Sequence, residues 1–307
     1  MTKFQRRLLA PLLLVLSMAL TMSAQAVEQR TDQFSSSTSR IVKGSFKNPE
    51  SILHDKERDL YLVSNMNGLK HSTKDNSGFI SLISPSGIIL DEHWIAGGQN
   101  NVVLNKPTGM AIVGRTLWIA DHDTLRSFDA DTGHPLSNIP VPRAKCLNDV
   151  VAAKDGSIFV SDCGLDDEFN PTGSDAIWKI APDGKLIMAY GGDVAIRPNG
   201  MSFDDEGNLY WASLTTTGEI TSVTPSGIKS TIPVPTGMLD GIALDSEGNI
   251  YVSSWGANSV YLIRPSSEPM VVARVGVADL SIDRKRNLLL MPLLYENQLL
   301  ITSLLNK

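Results

Sequence analysis

Six stretches of similar sequence recur along the chain, and this repetition constrains the fold more than any other feature. In each copy a β-prone run is followed by a turn rich in glycine and polar residues and then by a second β-prone run, as in Pro198–Phe203 and Leu209–Ser213. A second hairpin follows in five of the copies, with turns such as Pro182-Asp183-Gly184. Four antiparallel strands that recur every ~40–45 residues are typical of the blades of a β-propeller.

The two ends of the repeated region predict how the ring of blades closes. The sixth copy ends after Gln298–Leu304, one strand short, whereas an additional apolar run, Ile41–Phe46, precedes the first copy. Because an unpaired edge strand promotes aggregation, we expect Ile41–Phe46 to supply the outer strand of the last blade. The sequence therefore predicts one all-β domain over residues 40–307, a six-bladed propeller of four-stranded antiparallel blades with negligible helix.

The N-terminal segment has the three parts of a secretory signal. A basic start precedes the apolar run Leu8–Leu20, and the small residues Ala24 and Ala26 fit a cleavage site. The apolar run is too short to span ~30 Å of hydrocarbon. We therefore expect residues 1–26 to be cleaved and residues 27–39 to form a flexible leader. The mature protein is expected to be periplasmic or secreted, without insertion into a membrane.

The overall charge narrows the classes of partner. The chain carries 27 Lys and Arg against 33 Asp and Glu, which gives a formal net charge of −6. Binding of nucleic acid or of anionic membranes depends on clustered positive charge. We therefore expect no nucleic-acid partner and no electrostatic docking on membranes.

One position in each repeat carries a side chain that bears on metal binding. It lies where the first strand of each unit begins, and in a propeller this strand lines the central channel. The six residues at this position are Glu50, Thr108, Asn148, Asn199, Asp240 and Ala278. Two carboxylates and two amides that meet in a narrow channel would repel or stay unsatisfied without a cation. The alternative is that these side chains only cap strand starts and turns.

The oxygen ligands in this ring select among metal ions. Carboxylate and amide oxygens favour a hard cation, so Ca²⁺ is the first expectation, with Mg²⁺ or Mn²⁺ next. Zn²⁺ usually takes nitrogen or sulfur ligands, and it is the last candidate because the ring contains neither His nor Cys.

The motifs at this position resemble those of a known family. The matching motifs are Pro49-Glu50-Ser51, Leu147-Asn148-Asp149, Pro198-Asn199-Gly200 and Leu239-Asp240-Gly241. They are similar to motifs of the senescence marker protein and gluconolactonase family, and the similarity extends from about Phe46 to Leu304. The resemblance implies a six-bladed propeller that hydrolyses lactones, with one divalent metal held by Glu50, Asn199 and Asp240.

The same resemblance implies a role for Asn148 and shows one departure. Asn148 is expected to help hold the substrate or a metal-bound water. Members that act on sugar lactones carry an arginine two residues before this position, where the present chain has Cys146. This departure argues against specificity for sugar lactones more than it argues against a bound metal.

Two residues are candidates for the general base of ester hydrolysis. Asp240, beside the predicted metal, could take a proton from the attacking water or could serve only as a ligand. His122 lies in a loop that should open on the same mouth of the channel, and it could equally be a solvated turn residue. The candidates for contact with a small lactone or ester substrate are Asn148, Thr108, Trp255 and Tyr295.

Cys146 and Cys163 are the two cysteines of the chain. They lie near opposite ends of paired strands, roughly two residues out of direct register. A disulfide with the usual Cα separation of ~5.5–6 Å would then require a bulge in the strand. A thiol nucleophile is disfavoured because no histidine is placed to activate it.

A second class of function stays open at this point. A non-catalytic propeller of the NHL-repeat type would be an extracytoplasmic binding or scaffold module whose rim loops bind a protein or a glycan. The fold alone does not choose between this module and a hydrolase. The convergence of Glu50, Asn199 and Asp240 favours the hydrolase, because a scaffold does not need it.

Overall fold

The computed structural model describes residues 39–192 and 196–305. The predicted signal sequence and residues 27–38 of the predicted leader lie outside the described residues. Within the described ranges the chain forms 24 strands and no helix. Accordingly, no helix in this part of the chain could cross a membrane.

The strands form six antiparallel sheets of four strands each. Blade 1 consists of β2 (Pro49–Asp55), β3 (Leu60–Asn65), β4 (Phe79–Ile83) and β5 (Ile89–Ala96). Blade 2 consists of β6 (Pro107–Val113), β7 (Thr116–Asp121), β8 (Thr124–Asp129) and β9 (Pro135–Pro140). Blade 3 consists of β10 (Leu147–Ala152), β11 (Ile158–Asp162), β12 (Ala176–Ile180) and β13 (Leu186–Gly191). Blade 4 consists of β14 (Pro198–Phe203), β15 (Leu209–Ser213), β16 (Glu219–Val223) and β17 (Lys229–Pro233). Blade 5 consists of β18 (Leu239–Leu244), β19 (Ile250–Ser254), β20 (Ser259–Ile263) and β21 (Met270–Ala273). Blade 6 consists of β22 (Ser281–Asp283), β23 (Leu288–Leu293), β24 (Gln298–Ser303) and β1 (Arg40–Lys43).

The N-terminal strand closes the ring, as the sequence predicts. β1 pairs antiparallel with β24, with Arg40 opposite Ile301 and Lys43 opposite Gln298, and it is the outermost strand of blade 6. The strand is shorter than the predicted Ile41–Phe46 because the chain bends after Lys43. The prediction of a six-bladed propeller is confirmed.

The core lies between neighbouring blades. One cluster, for example, packs Leu62 and Ile80 of blade 1 against Met110, Leu117 and Phe128 of blade 2. Each side chain of this size contributes about 1.5–3 kcal/mol when it is removed from water. Because the inner strands are buried on both faces while strands such as β9 and β17 are largely exposed, the burial of each blade decreases outward.

A repeated bulge at the start of the first strand sets up the centre of the molecule. In blades 1 to 5 the register between the first two strands shifts after the first residue of the first strand. In blade 3 the shift falls between Leu147 and Val150, so Asn148 and Asp149 have no direct partner on β11. Ser161 of β11 fills the gap: its hydroxyl accepts the amide of Asp149 at 2.9 Å and donates to the carbonyl of Asn199 in blade 4 at 2.7 Å. A bulge of this kind re-aims side chains, and in blades 1 to 5 it places two residues of the first strand beside the channel.

Candidate active site

The first residue of each bulge forms a ring at one end of the channel. Four of these residues carry oxygen ligands and are buried, with exposed fractions of 4% for Glu50, 9% for Asn148, 2% for Asn199 and 6% for Asp240. The ring lies at the end of the channel that also carries the loops between second and third strands, which we call the loop end. The opposite end carries the turns between first and second strands, and we call it the turn end.

All four of these residues have a buried oxygen without a hydrogen-bond partner in the protein. The oxygens are Glu50 Oε2, Asn148 Oδ1, Asn199 Oδ1 and Asp240 Oδ1. Buried polar atoms are almost always paired, and leaving one unpaired costs about 1–3 kcal/mol. Two carboxylates and two amides with free oxygens are the donor set that a hard divalent cation prefers. The residues present therefore fit such an ion.

The ligand set is poor in the residues that usually mark a metal site. Among the described residues no group of three or more His, Cys, Asp or Glu side chains is arranged to hold a metal ion. The predicted set contains two carboxylates and reaches four ligands only through Asn148 and Asn199. A cation here would therefore depend on amide oxygens, which suit Ca²⁺ better than Zn²⁺.

The carboxylates around the channel raise the pKa of one another. Burial raises the pKa of Glu50 well above its usual value, and the charges of Asp240 and Asp279 raise it further. Burial likewise raises the pKa of Asp240 to about 6, although the hydrogen bond from Trp255 opposes the shift. Without a cation, these groups hold protons more tightly than free carboxylic acids do.

Trp255 and Tyr295 lie beside Asp240. The indole Nε1 of Trp255 donates to Asp240 Oδ2 at 2.5 Å, which orients the carboxylate. The Tyr295 ring meets Trp255 edge to face, with centroids 5.4 Å apart. Gly276 allows this arrangement, because a Cβ at that position would lie 2.9 Å from the indole ring. The two aromatic residues predicted to contact substrate therefore share one wall with the predicted metal ligand.

Thr108 occupies the ring position of blade 2 but is used differently. Its side chain is fully buried, and its hydroxyl lies 3.2 Å from the carbonyl of Leu147 and 3.4 Å from that of Ala120. The hydroxyl thus joins blade 2 to blade 3. The hydroxyl of Thr108 is thus hydrogen-bonded to the backbone, and the substrate contact expected at this residue stays a prediction.

His122 lies at the loop end beside the start of blade 3. Its backbone has a φ of 57°, its carbonyl accepts the amide of Leu147 at 2.8 Å, and its side chain is buried rather than solvated. The ring of His71 lies 5.8 Å from the ring of His122, measured between centroids. Sequence reasoning missed His71. It belongs to a long loop without a strand pattern, and the length of that loop was the available signal.

The disulfide between Cys146 and Cys163 is formed, with a Cα separation of 5.3 Å. The bulge that the register of the two strands required for this bond is present at Leu147 and Val150 and brings the two residues together, and the amide of Cys163 donates to the carbonyl of Cys146 at 2.9 Å. The described residues accordingly include no free cysteine that could act as a nucleophile. The disulfide packs with Leu165 and Leu214 in an apolar cluster at the loop end.

The turn end of the channel contains a cavity of about 630 Å³. The cavity is lined by Ser51 and Asp149, which are the second residues of the bulges in blades 1 and 3, and by Asp279 at the equivalent position in blade 6. Asp149 accepts the amides of Val150 and Met201, both at 2.6 Å, and Asp279 accepts the hydroxyl of Ser51 at 2.6 Å. Burial raises the pKa of Asp149 well above its usual value and the pKa of Asp279 to about 7. These acids were not singled out from the sequence, although they follow the ring position directly.

Comparison with known proteins places these features in a family. Residues 49–281 match the SMP-30/Gluconolactonase/LRE-like region. A gluconolactonase from Xanthomonas campestris has 18% identity and a TM-score of 0.57, covering 88% of this chain and 99% of that chain. A catalytically inactive form of virginiamycin B lyase from Staphylococcus aureus, solved with quinupristin, has 12% identity and a TM-score of 0.60, covering 87% and 99%.

A streptogramin B lyase has 15% identity and a TM-score of 0.61, with 87% of this chain and 97% of that chain covered. At these identities the likeness to solved structures shows the fold alone. No curated protein matches the chain with significant similarity.

Proposed function

Because the chain belongs to the SMP-30/gluconolactonase/LRE-like family, we propose that it is an exported hydrolase of lactones or related esters that depends on one divalent cation, with Ca²⁺ the first candidate. The observation that carries the proposal is the ring of four buried oxygens without protein partners, on Glu50, Asn148, Asn199 and Asp240. A non-catalytic binding module gains nothing from burying these oxygens unpaired, so the ring favours the hydrolase over the scaffold.

The four ring residues would hold the cation, and the other side chains at the loop end would position the substrate. A bound cation would polarise the ester carbonyl and stabilise the negative charge that develops on its oxygen. Trp255 fixes the orientation of the Asp240 carboxylate through its hydrogen bond. The rings of Trp255 and Tyr295 offer apolar surface against which a ring-shaped substrate can pack.

The substrate is proposed to be a small lactone or ester that is less polar than a sugar lactone. Cys146 stands where sugar-lactone relatives carry arginine, and its disulfide lies among apolar side chains such as Leu165 and Leu214. Apolar groups of this kind cannot pair with several hydroxyl groups of a sugar. Export to the periplasm or the medium is part of the proposal and is supported by the N-terminal sequence.

The proposal is tested with the mature protein after treatment with EDTA. We expect calorimetry to detect binding of about one Ca²⁺ per chain. We expect added Ca²⁺ to restore hydrolysis of dihydrocoumarin or phenyl acetate, with the sugar lactone δ-gluconolactone the poorer substrate. Glu50→Gln should lose both properties. Asp205→Asn, an exposed acid far from the ring that pairs with Arg284, is the matched control and should keep both. Absence of divalent-ion binding, together with absence of hydrolysis, would leave the binding module as the better interpretation.

A further inference from the structure

The loop between β3 and β4, residues 66–78, crosses from blade 1 over the loop end to blades 2 and 3, and we call it the strap. Lys106 of blade 2, whose side chain is almost fully buried, donates to Asp75 Oδ2 at 2.9 Å and to the carbonyl of Asn67 at 3.1 Å. These two bonds fix both halves of the strap to blade 2. The strap is therefore held by the fold and is not a free loop.

Two further contacts hold the middle of the strap on either side of its histidine. The backbone amide of Ser72 donates to Asp167 Oδ1 of blade 3 at 3.0 Å, and its hydroxyl donates to the same carboxylate. Lys74 Nζ pairs with Asp123 Oδ2 of blade 2 at 2.5 Å. Because His71 directly precedes Ser72, these contacts place His71 over blades 2 and 3, beside His122.

The two imidazoles present unpaired nitrogens in a buried setting. Both ring nitrogens of His71 and the Nδ1 atom of His122 are buried without a hydrogen-bond partner in the protein. The rings are tilted by 54° at a centroid separation of 5.8 Å, so the two side chains pack against each other. The Nδ1 atom of His122 therefore makes no hydrogen bond that holds the fold, whereas the ring of His71 also lies close to the backbone of Leu147.

The charged groups around the pair come from three blades. The charged groups that face His122 are Asp121, Asp123, Lys74 and Lys145. Those that face His71 are Asp121 and Asp167, and Lys70 lies near Asp167. Burial lowers the pKa of His71 to about 4, with a further contribution from His122, and burial also lowers the pKa of His122. Both rings are therefore neutral near pH 7 and can accept a proton.

We propose that His122 is the general base of the hydrolysis at the loop end and that His71 is the positioning residue that orients it through the contact between the two rings. The inference rests on the proposed function, and it leaves Asp240 as a ligand only. His122 takes one proton from the attacking water as the water oxygen bonds to the carbonyl carbon. The bond between that carbon and the alkoxy oxygen then breaks, and His122 returns the proton to the alkoxide. The products are the acid and the alcohol, joined in one molecule when the substrate is a lactone.

The experiment compares four variants in the Ca²⁺-loaded protein with dihydrocoumarin and phenyl acetate as probes. His122→Ala should lower kcat by about 10²–10⁴-fold, the usual contribution of a general base. His71→Ala should lower kcat by about tenfold with KM unchanged, and it should shift the acidic limb of the plot of kcat against pH. His71→Gln, which keeps a polar group, should recover part of this loss. His134→Ala, at an exposed histidine on an outer hairpin, should change nothing.

A second measurement on the metal-free protein separates the pair from the rest of the site. His71→Ala should shift the imidazole ¹⁵N resonances of His122, whereas His134→Ala should not. If Ca²⁺-dependent hydrolysis is present but His71→Ala matches the wild type in kcat and in the His122 resonances, the inference is wrong and the proposed function stands. If no probe is hydrolysed and no Ca²⁺ binds, the proposed function fails and the inference fails with it.

Discussion

The two ends of the channel contain buried carboxyl and amide side chains whose oxygens are in opposite states of hydrogen bonding. Asn148 and Asp149 are adjacent in the chain, yet Asn148 Oδ1 at the loop end has no partner, whereas both oxygens of Asp149 at the turn end accept backbone amides. Asp240 and Asp279 differ in the same way, because Asp240 Oδ1 is unpaired and Asp279 accepts the hydroxyl of Ser51. A paired buried acid stabilises the blades, and an unpaired one needs a ligand. The comparison therefore separates a binding site from a structural network within a single channel.

The largest effect is expected from a change that removes a ligand at the loop end. Asp240→Asn should weaken Ca²⁺ binding by ~100-fold or more, because it removes one of only two carboxylates in the ring. Hydrolysis should fall in parallel. Calorimetric titration and initial rates measure both quantities, with Asp205→Asn as the control. Unchanged Ca²⁺ affinity in Asp240→Asn would contradict the assignment of the loop end as the metal site.

The pH dependence of stability tests the same acids without a substitution. The pKa of Asp240 is about 6 and that of Asp279 is about 7 in the folded protein, above the usual value of a free aspartate. A raised folded-state pKa stabilises the fold at low pH, and this contribution is lost as the pH rises from about 4 to about 6 for Asp240 and to about 7 for Asp279. For Asp240 alone the loss is ~3 kcal/mol.

Saturating Ca²⁺ should oppose this loss, since an ion that binds only the folded state at a hundredfold excess over its Kd adds ~3 kcal/mol. Urea unfolding of the EDTA-treated protein between pH 4 and 7.5, with and without Ca²⁺, measures both contributions. A stability that is independent of pH and of Ca²⁺ across this range would contradict the electrostatic description of the channel.

At the turn end the expected effect is on folding and not on binding. Asp149→Asn replaces one acceptor oxygen by an amide group, so the amide of Val150 or of Met201 loses its partner. The cost should be about 1–3 kcal/mol in the free energy of unfolding. Ca²⁺ affinity should stay within about twofold of the wild type, because Asn148 keeps its place. A large loss of Ca²⁺ binding with little loss of stability would reverse the roles of the two ends.

The smallest effect is expected at Thr108, which has the ring position but behaves like the turn end. Thr108→Val removes the hydroxyl that joins blade 2 to the carbonyl of Leu147 and keeps the shape of the side chain. We expect a destabilisation of about 1 kcal/mol and no change in kcat or in Ca²⁺ affinity. Thr108→Ser should restore the stability. A selective rise in KM for the ester probes in Thr108→Val would return this residue to the substrate site.

The sequence predicts what is encoded locally and repeats. The bulge with its polar first residue recurs in every blade from Glu50 to Asp240, so alignment of the copies was enough to group the ring and to name the family. Closure by the N-terminal strand followed from counting strands. The bulge itself was not predicted, and for that reason the disulfide between Cys146 and Cys163 stayed open until the strands were seen.

The strap could not be predicted because its position depends on distant contacts. Lys106 holds Asp75, and Asp167 holds Ser72 across 95 residues of sequence. No periodicity in residues 66–78 indicates which blade the loop will reach. The contact between His71 and His122 could therefore not be predicted from the sequence.

Closure of the ring by β1 has a consequence for how the chain reaches its native state. Arg40 pairs with Ile301, so the two strands that complete blade 6 come from opposite ends of the domain. Contacts between residues so far apart form slowly, and on a ribosome this pair cannot form until β24 has been synthesised. Until then β1 has no neighbour, and the outer edge of the growing structure is free to pair with another chain. A message cut short before β24 should therefore yield aggregates and not a smaller propeller.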